Sequence, residues 1–456
     1  MKVLVLVDGE HYPPVTRWAL ETARSRGLEP VAALFLGGTE KLHPEEDLEL
    51  GLPLIHADGD PTASLARALD GLDRGAIEAV LDVSDEPVLG NRERMELVAV
   101  ALVRGLPYVG GDFRFDPPVD GPPLGAATIA VIGTGKRTGK TAAAGEVART
   151  ALAGGMNPIV VAMGRGGPPR PQVAEAGSVT LERLLHLVRS GQHAASDYLE
   201  DAVTTGVTTI GARRAGGGLA GRPVATNARE AAELAVGLGA GVVVLEGSGA
   251  SVPPVPWDAG VLVTSAALAE KNLTEYLGPY RLLLSDLVVV TMGHSPAGRR
   301  ISSSENFSVL RSHVKRLRGD ARLIVADLHP QPLGDVEGKD VFFTTTAPGP
   351  VADRQARSLE ANHGCRVVGL SARLADRAGL AREMDGAGGY EVLLTELKAA
   401  AVDVACERAI ARGADVVFVD NRPVAVDGEP DLGEALRWTI GLAIERHAAR
   451  GGSERA

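Results

Sequence analysis

Three scarcities narrow what this chain can be. Cysteine is nearly missing: Cys365 and Cys406 are the only two among 456 residues, in unrelated segments and without metal-ligand spacing. Two such thiols make neither a disulfide framework nor a zinc site, and they suit a reduced, cytoplasmic protein. Long apolar runs are missing as well. No stretch approaches the ~20 apolar residues of a membrane span. The opening MKVLVLVDGE carries five apolar residues in a row before Asp8, too few for a signal peptide. Positive charge is the third. With 47 Lys and Arg against 58 Asp and Glu the formal charge is −11, so no basic excess is available for general nucleic-acid binding. An anionic ligand must then be held by local clusters of Arg and Lys.

What is present is ordinary globular material, 45% hydrophobic and 23% charged, in a chain long enough for two or three domains. There is no repeat of fixed period and no low-complexity block. Strands are predicted at Lys2–Val7, Val31–Leu36, Ala79–Val83 and Tyr108–Val109, with helical stretches between them. That alternation predicts a small parallel α/β domain. Pro117-Pro118 and Pro122-Pro123 then mark a linker. Beyond it, near-continuous Val/Ile/Leu runs at Thr128–Ile132, Pro158–Met163, Gly241–Leu245, Leu287–Thr291 and Leu323–Ala326 predict strands buried on both faces. Later runs at Val341–Phe343, Val367–Leu370 and Val416–Val419 extend the series. The expected architecture is α/β: an N-terminal domain over 1–118, a linker over 119–126, and a larger doubly wound parallel-sheet domain over 127–456.

The chemistry starts where the Thr128–Ile132 strand ends. Gly133-Thr134-Gly135-Lys136-Arg137-Thr138-Gly139-Lys140-Thr141 leads into an Ala-rich helix stopped at Gly154-Gly155. Strand, glycine loop, Lys-Thr and helix is the order that a phosphate cradle needs. Backbone N–H groups face the phosphates, Lys140 reaches the β- and γ-oxygens, and the Thr141 hydroxyl sits on magnesium. Gly133, Thr134, Gly135, Thr138, Gly139, Lys140 and Thr141 are therefore the candidate ATP-binding residues. Five residues, not the usual four, separate Gly133 from Gly139. The longer loop brings in Lys136 and Arg137, which with Lys140 are the candidate catalytic cations.

Ligands of open parallel sheets bind beyond the carboxyl ends of strands. There Glu246, followed by Gly-Ser-Gly, offers a carboxylate for magnesium alongside Thr141. Ser196-Asp197 and Asp201 are candidate second carboxylates. Glycine-rich loops at Gly164–Arg170 and Ala212–Arg222 carry Arg165, Arg170, Arg213, Arg214 and Arg222, suited to bidentate phosphate recognition. The second of these is too rich in glycine for a regular element and is expected as a mobile loop. Arg299-Arg300 is a further basic pair. Asp8, Glu10 and His11 end the first strand, where His11 either meets a phosphate or caps the next helix. Thr344–Pro348 is a base-contacting loop by position alone.

With these residues placed, the sequence resembles the cyclic 2,3-diphosphoglycerate synthetase family. The likeness is carried by LVDGEHYPPV (Leu6–Val15), GTGKRTGKT (Gly133–Thr141) and VVLEGSGASVPPV (Val243–Val255), and it spans nearly the whole chain. The third motif is also similar to the strand-Glu-Gly-x-Gly turn of dethiobiotin synthetase, whose glutamate binds magnesium. The resemblance implies ATP-dependent closure of a phosphoanhydride between the two phosphates of 2,3-diphosphoglycerate, releasing ADP and phosphate. It implies ATP and magnesium as cofactors and a small-molecule partner, with neither nucleic acid nor membrane; a homodimer is compatible with it. Two other readings stay open at this point. One is a dethiobiotin-synthetase-like ligase or small-molecule kinase, with few arginines in its pocket. The other is a ParA-like ATPase switch, which calls for K-G-G-x-G-K-T, whereas Lys136 lies one residue too close to Gly139.

Overall fold

The computed structural model describes residues 1–42, 48–73, 75–294, 301 and 305–453. The Arg299-Arg300 pair lies outside the described residues. The N-terminal sheet consists of β1 (Lys2–Val7), β2 (Glu29–Phe35), β3 (Leu54–His56), β4 (Ala79–Asp82), β5 (Tyr108–Val109) and β6 (Arg114–Phe115). Their order is β3-β2-β1-β4-β5-β6, parallel except for the final β5–β6 pair. Central β1 is apolar from Val3 onward because both its faces are covered. Leu4 and Leu6 pack with Leu34 and Leu97 on one side, while Val3, Val5 and Val7 pack with Leu20 on the other. Helix Asn91–Val103 is buried continuously from Glu96 to Leu102, since a helix apolar all round needs cover on every side. Leu277 and Tyr280 from the next domain supply part of that cover. Glu96 in turn receives Arg316 at 2.6 Å across the same boundary.

The second sheet has thirteen strands. They are β7 (Ala127–Gly133), β8 (Pro158–Gly164), β9 (Gln172–Ala174), β10 (Thr209–Ala215), β11 (Ala225–Thr226), β12 (Val242–Glu246), β13 (Ala259–Ser265), β14 (Leu287–Thr291), β15 (Arg322–Pro332), β16 (Asp340–Thr344), β17 (Arg366–Ser371), β18 (Val392–Thr395) and β19 (Asp415–Ala425). The order is β11-β10-β8-β12-β7-β13-β14-β15-β19-β18-β16-β17, with β9 alongside β10. From β10 to β15 every pairing is parallel. Helices cover both faces, as the unbroken apolar runs require. Ala130, Ile132, Val243 and Leu245 face one layer, while Ile129, Val131, Val242 and Val244 meet helix Lys140–Ala153 on the other.

Two departures from expectation follow from long-range pairing. The Ala212–Pro223 stretch is no free loop. Thr209–Ala215 continues β10 beside β8, and the chain turns back to pair Arg214 with Thr226 and Ala215 with Ala225. Glycines at 216 and 221, both with positive φ, shape the turn. Likewise β15 runs six residues past its expected end at Ala326. Ala326–Pro332 pairs antiparallel with Val419–Ala425, and the first half of β19 joins the parallel set β19-β18-β16-β17. A ribbon thus links the P-loop sheet to a smaller C-terminal sheet. The last helix, Leu432–Ser453, returns to the P-loop sheet, where Leu436, Ile440 and Ala443 pack with Ile129, Val261 and Val289.

Candidate functional site

Between the end of β7 and helix Lys140–Ala153 the chain makes a tight wrap. Gly139, the residue before the helix, has φ 85°, and a Cβ there would lie 3.1 Å from Thr291 Cγ2. Arg137 is also left-handed, at φ 61°. A Cβ on Gly133 would come 2.5 Å from Lys140 Cδ, because the lysine folds back across its own loop. Its Nζ donates to the Gly135 carbonyl at 2.6 Å and to Thr138 Oγ1 at 3.4 Å. Burial pushes the Lys140 ammonium down to about 8, against the pull of Glu246 and Asp197. Lys136 and Arg137 stand exposed at the tip.

Neighbouring strands brace this loop. Thr134 Oγ1 donates to Thr264 Oγ1 at 2.9 Å, and Asn272 Nδ2 donates to Thr134 Oγ1 at 3.0 Å. Thr291 Oγ1 donates to the Thr138 carbonyl at 2.8 Å. These three partners were not legible beforehand. They lie 130, 138 and 153 residues further along the chain, and only the placing of β13 beside β7, of β14 beside β13 and of the short helix Ala269–Thr274 after β13 brings them in.

At the first turn of the helix, Thr141 Oγ1 donates to Glu246 Oε1 at 2.7 Å. Glu246 closes β12 and is 4% exposed. The turn after it folds onto itself, so a Cβ on Gly247 would lie 2.8 Å from the Ser251 carbonyl. Burial, then the nearby charge of Asp197, raises the Glu246 carboxyl above its usual range; the Thr141 hydroxyl and Lys140 oppose the shift. Hydroxyl and carboxylate oxygens are the donors a hard divalent cation takes. Among the described residues no three His, Cys, Asp or Glu converge as a metal centre, so phosphate oxygens and water would have to complete the shell of a cation held there.

The arginines divide. Arg165 and Arg214 converge on Gly249, whose Cβ would lie 3.1 Å from one guanidinium and 3.3 Å from the other. Both charges act on Lys140, so both border the P-loop crevice. Arg214 is buried, donating to the Gly216 carbonyl at 2.6 Å and the Ser248 carbonyl at 2.9 Å. Burial, then Arg165, lowers its hold on its proton. Arg213, next along the strand, is exposed and donates to the Gly167 carbonyl at 2.9 Å. Arg222 pairs with Asp120 of the linker. Arg170 is exposed. His11 Nδ1 meets Asp8 at 2.8 Å inside its own loop, where Asp8 also accepts from the backbone of Glu10 and His11. The structure thus gathers Arg165 and Arg214 at the P-loop, Arg214 with both terminal nitrogens already on carbonyls, and it ties Arg213, Arg222 and His11 to partners elsewhere. Thr345 and Thr346 bond to Glu396 at the end of β18.

A glycine loop closing on a buried lysine at the head of a helix, within a doubly wound parallel sheet, defines a nucleotide-binding P-loop protein. Comparison with known proteins takes this further. Three domains described for cyclic 2,3-diphosphoglycerate synthetase match in series: the N-terminal domain at 2–116, the P-loop domain at 128–326 and the C-terminal domain at 332–422. Cyclic 2,3-diphosphoglycerate synthetase of Rubrobacter xylanophilus is 46% identical, with 99% of each chain covered. Those of Methanothermobacter thermautotrophicus and Methanothermus fervidus are 41% and 38% identical, over 97% of this chain and 96% and 98% of theirs. The chain belongs to the cyclic 2,3-diphosphoglycerate synthetase family and is an enzyme. No helix among the described residues is long and apolar enough to cross a membrane.

Proposed function

We propose that the protein uses ATP and magnesium to close the phosphoanhydride ring of cyclic 2,3-diphosphoglycerate, releasing ADP and phosphate. The observation that carries the reading is one crevice holding Lys140, Thr141 and Glu246 on one side and the Arg165–Arg214 pair at Gly249 on the other. A P-loop kinase of neutral substrates has no need of two guanidinium groups there.

Joining two phosphates requires that one of them be activated. In the first step an oxygen of one substrate phosphate attacks the γ-phosphorus of ATP, and the bond to ADP breaks. In the second, an oxygen of the other substrate phosphate attacks the activated phosphorus and expels inorganic phosphate, closing the ring. Phosphate oxygens are already anionic near neutral pH, so no side chain has to remove a proton. The protein's task is to hold polyanions together and in line. Backbone N–H groups of residues 134–139 and the helix start receive the nucleotide phosphates. Lys140, released from the Gly135 carbonyl, reaches the β- and γ-oxygens. Lys136 and Arg137 close over them from the tip. Arg165 and Arg214 hold the bisphosphate, while Arg213, Arg222 and His11 stay with the Gly167 carbonyl, Asp120 and Asp8 and, like exposed Arg170, add only screened long-range attraction. Thr141 and Glu246 are the residues that would hold magnesium, which would supply charge neutralisation at the transferred phosphoryl group. We assign the reaction to the cytoplasm, a reading that the two buried free thiols Cys365 and Cys406 support.

Phosphorus NMR tests the reading. Incubating the protein with ATP, magnesium and 2,3-diphosphoglycerate should convert the two monoester resonances to anhydride resonances, with one ADP and one phosphate per turnover. ATP hydrolysis without new anhydride signals would refute the proposal.

A further inference from the structure

Helix Asp197–Thr205 packs on the P-loop helix at Gly145, where a Cβ would lie 3.2 Å from Thr205 Cγ2. It delivers two consecutive carboxylates to different places. Asp201 is wholly buried, and neither of its carboxylate oxygens has a hydrogen-bond donor. What Asp201 meets is the carboxyl of Glu246, a second acceptor already engaged by the Thr141 hydroxyl at 2.7 Å. Two buried acceptors set against each other lose their hydration and gain nothing in return. A protein keeps such a pair where something positive is to lie between them. Thr141 follows the P-loop lysine, where a nucleotide-bound cation takes its hydroxyl ligand, and this favours a metal ion over a shared proton.

Glu200 turns the other way. Its Oε1 lies 3.0 Å from Lys398 Nζ, which projects from the end of β18 in the C-terminal sheet. Beside Lys398, Glu396 is fixed by Thr345 Oγ1, Thr346 N, Thr346 Oγ1 and Asn421 Nδ2, all at 2.7–3.0 Å. The lysine therefore stands on a rigid base, and the helix that bears Asp201 is clamped to it one residue away.

We propose that Asp201 is the second carboxylate of a divalent-cation site formed with Glu246 and Thr141, and that the C-terminal domain holds it in place through the Lys398–Glu200 pair. The proposal rests on the reading of residues 133–141 as a nucleotide site. Two carboxylates and one hydroxyl leave roughly half of an octahedral shell for phosphate oxygens and water, the usual division for magnesium. Asp201 is a ligand in this scheme; Lys398 is a positioning residue.

The test uses manganese as the probe, its binding to the full-length protein with ADP followed by electron paramagnetic resonance, and thermal unfolding in EDTA as a second readout. Asp201→Asn should weaken manganese binding by at least about ten- to a hundredfold, the range seen even when a partner of a metal ligand is lost. Metal-free ADP binding should hold, and unfolding in EDTA should occur no lower than in the parent, because a buried repulsion has been removed. Asp201→Ser provides the same readouts if the asparagine variant folds poorly. Lys398→Met should weaken manganese binding by a smaller factor and lower the unfolding temperature; Lys398→Arg should restore both. If Asp201→Asn binds manganese like the parent while Glu246→Gln does not, the proposal is overturned and the nucleotide site stands. If neither variant changes manganese binding, the cation site as a whole is misplaced.

Discussion

Arg213 and Arg214 are adjacent in sequence and opposite in space, which makes them a sharp test of where the bisphosphate sits. Strand alternation sends Arg214 inward to the Ser248 carbonyl and Arg165, while Arg213 stays exposed over the Gly167 carbonyl. A charge-assisted contact to phosphate is worth roughly 1.5–3 kcal/mol, or about ten- to a hundredfold in affinity. Arg214→Ala should weaken 2,3-diphosphoglycerate binding by that factor. Arg213→Ala should change it by less than about threefold, the effect of a solvated charge near a site. The Arg214 variant also leaves the buried Ser248 carbonyl and the partly buried Gly216 carbonyl without their donor, a stability loss on the order of 1–3 kcal/mol, so titrations must be run well below its melting point. Isothermal titration of the bisphosphate, and separately of magnesium-ADP, separates the two ligands: only the first should respond. Equal losses from both arginines, or from neither, would refute the placement of the substrate at Gly249.

Three further outcomes are expected. Lys140→Met should abolish phosphoryl transfer, read as ADP release, while circular dichroism of the fold is unchanged. Gly133→Ala should lower stability as well as weaken ATP binding by about tenfold or more, because its Cβ would meet Cγ and Cδ of buried Lys140 at 2.8 and 2.5 Å and drive the lysine off its path; unchanged ATP binding would refute this. Glu246→Gln keeps the size and removes the charge; turnover should fall steeply and need more magnesium, and an unchanged magnesium dependence would reduce Glu246 to a brace for Thr141.

Much of this was readable in advance because its signals are local. The P-loop announces itself through consecutive residues, and Glu246 through the glycines behind an apolar strand. The buried strands show as unbroken Val/Ile/Leu runs. What escaped depends on partners distant in sequence. Composition at 212–223 speaks for a loop, and only pairing with β8 and β11 makes Arg213 and Arg214 strand residues with opposite faces. The extension of β15 carries Pro330 and Pro332, and β19 carries Pro423, residues that argue against a central strand. They are tolerated because this part of the sheet is a two-stranded ribbon, where each strand has a free edge.

That ribbon has a consequence for how the molecule is partitioned. The chain leaves the P-loop sheet at Ala326 and re-enters it at Ala425, and these two residues face each other across the ribbon. The core of the P-loop domain is then completed by Leu432–Ser453, beyond the excursion. The C-terminal sheet is therefore a parenthesis with both brackets at one spot. Such a module adds no new threading to the host fold, although it shares a core with helices Leu181–Arg189 and Asp197–Thr205, whereas a chain cut between Ala326 and Leu432 forfeits a helix packed on the nucleotide-binding sheet.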